Sequence, residues 1–141
     1  MPVSCEKKKN DVIPDVYIDF TINLNDPEFT DLTSLCGFVY INASTNNWGQ
    51  KAAGYNNNGI IVFAGSDEYY AYDRTCPHDF VENKSDCRVN VVDILYAECP
   101  CCKTRYGLMN YGTPTSGTIG RYPLKNYRTS FNGQFIRVWN N

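Results

Sequence analysis

Seven consecutive residues alternate strictly between two faces, with Val16, Ile18, Phe20 and Ile22 on one side and Tyr17, Asp19 and Thr21 on the other. A period of two buries one face only in a pleated strand, and a strand needs partners for its backbone. The remaining sequence supplies them as short apolar runs between turn residues. Residues 37–42 read as a second strand. Residues 59–65 form a continuous apolar run bounded by glycines, and residues 69–74 come after the turn Ser66-Asp67-Glu68, which predicts a hairpin. Shorter strand signals lie at 88–92, 94–98, 104–108 and 122–127. The last pair, 127–131 and 134–139, is joined by Asn132-Gly133, the strongest short hairpin signal. Val, Ile, Tyr, Thr and Phe outnumber Ala, Leu and Met, which disfavours a helical bundle. The expectation is an all-β domain, a small antiparallel sandwich or barrel, with no internal repeat.

At 141 residues, with 13 Lys+Arg against 15 Asp+Glu, the chain has room for one domain and carries a net charge of -2. That balance, with no basic run beyond Lys7-Lys8-Lys9, argues against nucleic-acid binding. No apolar stretch is long enough to span a bilayer. Residues 1–14 read as a flexible tail, and residues 15–141 as the domain. Within the tail, small residues before Cys5 and a charged spacer after it look like the end of a bacterial lipoprotein signal. On that reading Cys5 carries a lipid and tethers the domain to the cell envelope; the alternative is a free cysteine in a tail.

Seven cysteines accompany a single histidine, His78. Sites that need two or three imidazoles therefore cannot be built, and neither G-x-S-x-G nor G-x-G-x-x-G is present for a serine hydrolase or a nucleotide cofactor. The chemistry concentrates in two Pro-stiffened loops, at 74–81 and 97–104. They offer Cys76-x-His78 and Cys99-x-x-Cys102. A one-residue gap sends the Cys76 and His78 side chains apart, which suits two metal atoms of one cluster better than one tetrahedral ion. Zinc held by Cys76, His78, Cys99 and Cys102 stays an alternative, as does a site without metal, stapled by Cys76–Cys102 and Cys87–Cys101. Asp79 and Glu98 read as solvated loop residues, and Cys36 as a small buried hydrophobe.

Cys76-Pro77-His78, twenty residues, then Cys99-Pro100-Cys101-Cys102 resembles the Rieske pattern of C-x-H followed by C-x-x-H. Tyr106-Gly107-Leu108, the Gly/Pro-rich stretch 112–117 and Pro123-Leu124 are similar to that family's segment after its second loop. The resemblance covers residues 59–138. It implies a Rieske-like fold with a two-loop subdomain holding a [2Fe-2S] cluster, Cys76 and Cys99 on the inner iron and His78 and Cys102 on the outer one. Cys102 stands where the family has histidine, so a cluster here has three thiolates and a lowered potential. In respiratory members the position of Cys101 forms a loop-to-loop disulfide whose partner position is Val81 here. Cys87 is the nearest substitute partner, and Cys101 can also exchange roles with Cys102 as ligand. The implied role is a single-electron carrier that needs a redox partner protein and has no small-molecule substrate of its own.

Overall fold

The computed structural model describes residues 12–140. Its ten strands are β1 (Asp19–Asn23), β2 (Phe38–Ile41), β3 (Ile60–Ala64), β4 (Tyr69–Asp73), β5 (Asn90–Val92), β6 (Tyr96–Glu98), β7 (Arg105–Gly107), β8 (Thr113–Pro114), β9 (Asn126–Phe131) and β10 (Phe135–Trp139). One short α-helix, α1 (Pro77–Glu82), lies between β4 and β5, and 3₁₀ turns fill the connections on either side of β2. A six-stranded sheet runs β1-β10-β9-β4-β3-β2, and a four-stranded sheet runs β5-β6-β7-β8. Every pairing is antiparallel. The all-β, two-loop arrangement expected from the sequence is therefore present, the first loop running from β4 of the larger sheet to β5 of the smaller and the second joining β6 to β7.

The two kinds of apolar pattern occupy different places. In β1 the alternation is kept: Phe20 and Ile22 are buried, as is Ile18 just before the strand, whereas Tyr17 is 70% exposed. β3 has no alternation, and all five of its residues are buried. Ile60 and Val62 face a core shared with Ile18, Phe20, Ile22, Ile136 and Val138. Ile61 and Phe63 face a second core containing Tyr72, Tyr106, Leu108, Leu124 and two of the cysteines, Cys76 and Cys99. An uninterrupted apolar run is what a strand buried on both faces requires.

Two expectations need correction. Residues 122–125 are not a strand; Pro123 removes a donor there, and pairing starts only at Asn126. The segment 77–82 folds as a helix, because Pro77 occupies the first helical turn, where its missing N–H costs nothing. Ile13, within the expected tail, is buried. The remainder of the expected tail, with Cys5, lies outside the described residues.

At the Asn132-Gly133 turn, Gly133 takes a φ of +103°, and Asn132 Oδ1 accepts from the backbone N–H groups of Gln134 and Phe135. This fixes the β9–β10 register, which places Ile136 and Val138 in the first core. Ile136→Ala should lower unfolding stability by about 2–5 kcal/mol, and Tyr17→Ala by no more than about 0.5 kcal/mol. Urea titrations with an unchanged slope check both.

Candidate metal centre

The first loop leaves β4 at a buried carboxylate. Asp73 Oδ2 accepts from the Tyr55 backbone N–H at 2.7 Å and from the Tyr127 hydroxyl at 2.6 Å, while Oδ1 accepts from the Thr75 backbone N–H at 2.9 Å. Burial pushes the Asp73 carboxyl above the usual range, against the pull of these donors. The strand end is thereby fixed three residues before Cys76. The Cys76 N–H then donates to the Cys87 carbonyl at 2.9 Å, and Val89 N–H to the Arg74 carbonyl at 2.8 Å. The chain returning from α1 is held against the chain entering it.

Cys76 is the N-cap residue of α1. Residues three apart share a helix face, so Asp79 comes round beneath Cys76, and His78, one residue earlier, is turned about 100° away from it. Asp79 is 1% exposed. The expectation that it is solvated is wrong, and the helix is the reason. The aspartate's own carbonyl accepts from Asn83 and Ser85 N–H, each at 3.0 Å, which pins the turn.

The second loop is a tight knuckle between β6 and β7. Cys99 N–H donates to the Thr104 carbonyl at 3.0 Å, and Lys103 N–H donates to the Cys99 carbonyl at 2.9 Å. Lys103 takes a left-handed conformation, φ +66°, to close it. The Cys101 backbone N–H points at Cys99 Sγ, 3.4 Å away. Cys99 is buried, Cys102 half-buried and Cys101 exposed.

Three thiols from the two loops converge with the carboxylate. Cys76 Sγ and Cys102 Sγ are 3.7 Å apart. Cys99 Sγ donates to Asp79 Oδ2 at 2.9 Å, Cys102 Sγ donates to Thr104 Oγ1 at 3.1 Å, and Cys76 Sγ lies 3.2 Å from the Tyr106 hydroxyl. Donor atoms of Cys76, Asp79, Cys99 and Cys102 all lie within 4.8 Å of one another. His78 is not in this group; its Nδ1 is buried without a hydrogen-bond partner among the described residues.

The structure joins Cys87 to Cys101 as a disulfide, with Cα atoms 6.5 Å apart. Cys101 is thus taken out of the ligand set and Cys102 is left in it. The other candidate staple, Cys76–Cys102, is not formed, since both cysteines are free. Cys36 is also free, but it is half-buried at the edge of the second core and not fully enclosed. Glu98, on β6, pairs with Arg105 at 2.9 Å and takes no part in the thiol group.

Cys99 and Cys102 hold on to their protons. Hydrogen bonding with Cys76, then burial, then the neighbouring Asp79 push Cys99 far above the ordinary thiol range. Burial also raises Cys102, against the pull of Thr104. Burial alone would raise Asp79, but hydrogen bonds from Cys99, Asn83, Cys102 and Cys76 outweigh it and hold the carboxyl below its usual range. A low-lying carboxylate beside raised thiols is an arrangement that a cation would complete, because it would replace the thiol protons.

No family model matches the sequence, and no curated protein matches it. Among solved structures, the chain is similar to the ferredoxin of carbazole 1,9a-dioxygenase from Nocardioides aromaticivorans IC177. The identity is 21% and the TM-score 0.44, over 61% of this chain and 79% of that one.

Chemically, the donor set fits a thiophilic metal. A metal–sulfur bond of about 2.3 Å gives a tetrahedral sulfur–sulfur edge of about 3.8 Å, close to the Cys76–Cys102 separation of 3.7 Å. Thr104, Tyr106 and the Cys101 N–H surround the sulfurs as hydrogen-bonding groups that would tune the basicity of the ligands. Sequence reasoning missed Asp79 and these two hydroxyls. The Pro directly after Cys76 is the signal for the helix that would have exposed the i, i+3 relation of Cys76 and Asp79.

Replacing Cys87 and Cys101 together by serine opens a loop of sequence separation 14 and should cost about 3 kcal/mol of stability, checked by chemical denaturation. Because Cys99 and Cys102 are pushed up, metal uptake must displace their protons, so affinity should be weaker at pH 6 than at pH 8. Zinc competition titrations at the two pH values measure this.

Proposed function

We propose that the protein is a Rieske-like electron carrier whose metal is held by Cys76, Cys99 and Cys102. The observation that carries this reading is the convergence of three thiols from two separate loops on one buried point, beside a carboxylate. The expected group is a [2Fe-2S] cluster, with His78 or a neighbouring donor as fourth ligand, and it would supply one-electron transfer when bound. The chain's own part is to exclude water, present the sulfurs and donate hydrogen bonds to them. Tyr106 and Thr104 reach the Cys76 and Cys102 sulfurs. Cys101, held in its bridge to Cys87, closes the two loops over the site. A third thiolate favours the oxidised state. The potential should therefore fall between the Rieske range, about -150 to +300 mV, and the plant-type value of about -400 mV.

A second reading, a single zinc ion in a structural role, is favoured by one observation. All four donor atoms fit within 4.8 Å, as a single tetrahedral centre needs, whereas a two-iron cluster takes its ligands in two separated pairs. The redox partner is proposed to be another protein. Tethering to a bacterial envelope through a lipid on Cys5 belongs to the same proposal and is supported by the sequence around Cys5. No helix among the described residues is long and apolar enough to cross a membrane.

Anaerobic purification with iron, sulfide and zinc quantified on one sample tests the proposal. About two irons and two sulfides per chain, with an EPR signal on reduction, is the expected result, and Cys102→His should then raise the midpoint potential. One zinc per chain and no colour after reconstitution would replace the electron-carrier reading by the zinc one. Fractionation of the native host, with the protein wholly in the soluble pool, would remove the lipid anchor.

A further inference from the structure

We propose that Asp79, and not His78, is the fourth protein donor to the metal held by Cys76, Cys99 and Cys102. This rests on the metal-binding reading of the two loops and adds the ligand that reading leaves open.

Asp79 is buried without a counter-charge. Asp79 is 1% exposed, and none of the four ion pairs among the described residues reaches it. A carboxylate in such a place is costly unless a cation or several hydrogen bonds compensate it. Its hydrogen-bond donors, Asn83 and the cysteine thiols, are all uncharged, and the thiol protons are the ones a metal displaces.

The two oxygens of Asp79 are used differently. Oδ1 is anchored by Asn83 Nδ2 at 2.6 Å, one helical turn on. Oδ2 accepts the Cys99 thiol proton, at 2.9 Å. Binding a metal at Cys99 removes that proton, so the bond to Oδ2 is lost at the moment a cation arrives beside it. Oδ2 then faces the metal with its orientation still fixed through Asn83, the outer contact that ligating carboxylates ordinarily have. The proton leaves to solvent, and no electron moves.

The geometry of α1 points the same way. Cys76 caps α1 and Asp79 lies three residues on, so one rigid helical turn presents a sulfur and an oxygen to the same point. His78 sits between them on the sequence and off that face. Three thiolates with one carboxylate carry the same charge as a four-cysteine site, which is an ordinary structural arrangement for zinc.

The test uses cobalt(II) titrated into the full chain under anaerobic conditions without added thiol, so that the Cys87–Cys101 bridge stays closed. Thiolate-to-cobalt charge transfer and intense visible bands report a tetrahedral centre. Asp79→Asn should weaken cobalt binding at least about tenfold, the scale on which even outer contacts of ligands act, while His78→Ala stays within about threefold of the unsubstituted protein. The reverse pattern would overturn the assignment of Asp79 and leave the metal site standing. Should Asp79→Asn fail to fold, Asp79→Cys decides: bands shifted to those of four thiolates support the proposal, and an unshifted spectrum overturns it. An unsubstituted chain that takes up neither cobalt, zinc nor iron would overturn the metal reading itself, and this proposal with it.

Discussion

The placement of the thiols depends on one strand being buried on both faces. β3 gives Ile60 and Val62 to the core under β1 and β10, and Ile61 and Phe63 to the core under the small sheet. Without the second of these faces, the four-stranded sheet would have nothing to pack on, since its strands are only two or three residues long. Strands that short contribute little by themselves. Cys76, Cys99 and Tyr106 lie in that second core, so the apolar packing that stabilises the small sheet also keeps water from the sulfurs.

Local ties then convert general burial into a fixed constellation. The Asp73 hub sets where the first loop begins, and the Cys76–Cys87 backbone bond sets where it returns. The Cys87–Cys101 bridge connects that return to the knuckle of the second loop. Each tie is made by backbone groups or by neighbouring side chains and leaves the donor atoms themselves out of it. The sulfurs are left with thiol hydrogen bonds whose protons a metal can displace, the state from which ligands can be recruited. A site whose ligands were satisfied by strong internal bonds would have to break those bonds before taking a metal.

How much of this is legible in the chain alone varies by residue. The alternation through Ile18, Phe20 and Ile22 and the Asn132-Gly133 turn are local signals with a single structural meaning, and the structure agrees with both. The run from Ile60 to Ala64 announces burial on both faces but does not say which two cores it joins. Asp79 looks solvated in the sequence because an aspartate beside a Pro-containing loop is usually exposed; only the helix, with its i, i+3 geometry, puts it among the thiols. The absence of a strand at 122–125 traces to Pro123, a local signal that outweighs the aromatic and apolar residues around it.

Fold class and the supply of donors follow from local features of the chain. Periodicity and turn residues act over a few positions, and a count of seven cysteines against one histidine limits the chemistry before any folding. Tertiary structure decided which donors meet. Cys101 could have served as ligand or bridge, and Cys102 likewise; their roles separate because the returning chain carries Cys87 to within bonding distance of Cys101 and leaves Cys102 facing Cys76. Pairings between cysteines 14 and 26 positions apart depend on the path of the whole loop, and no nearest-neighbour signal in the sequence encodes that path.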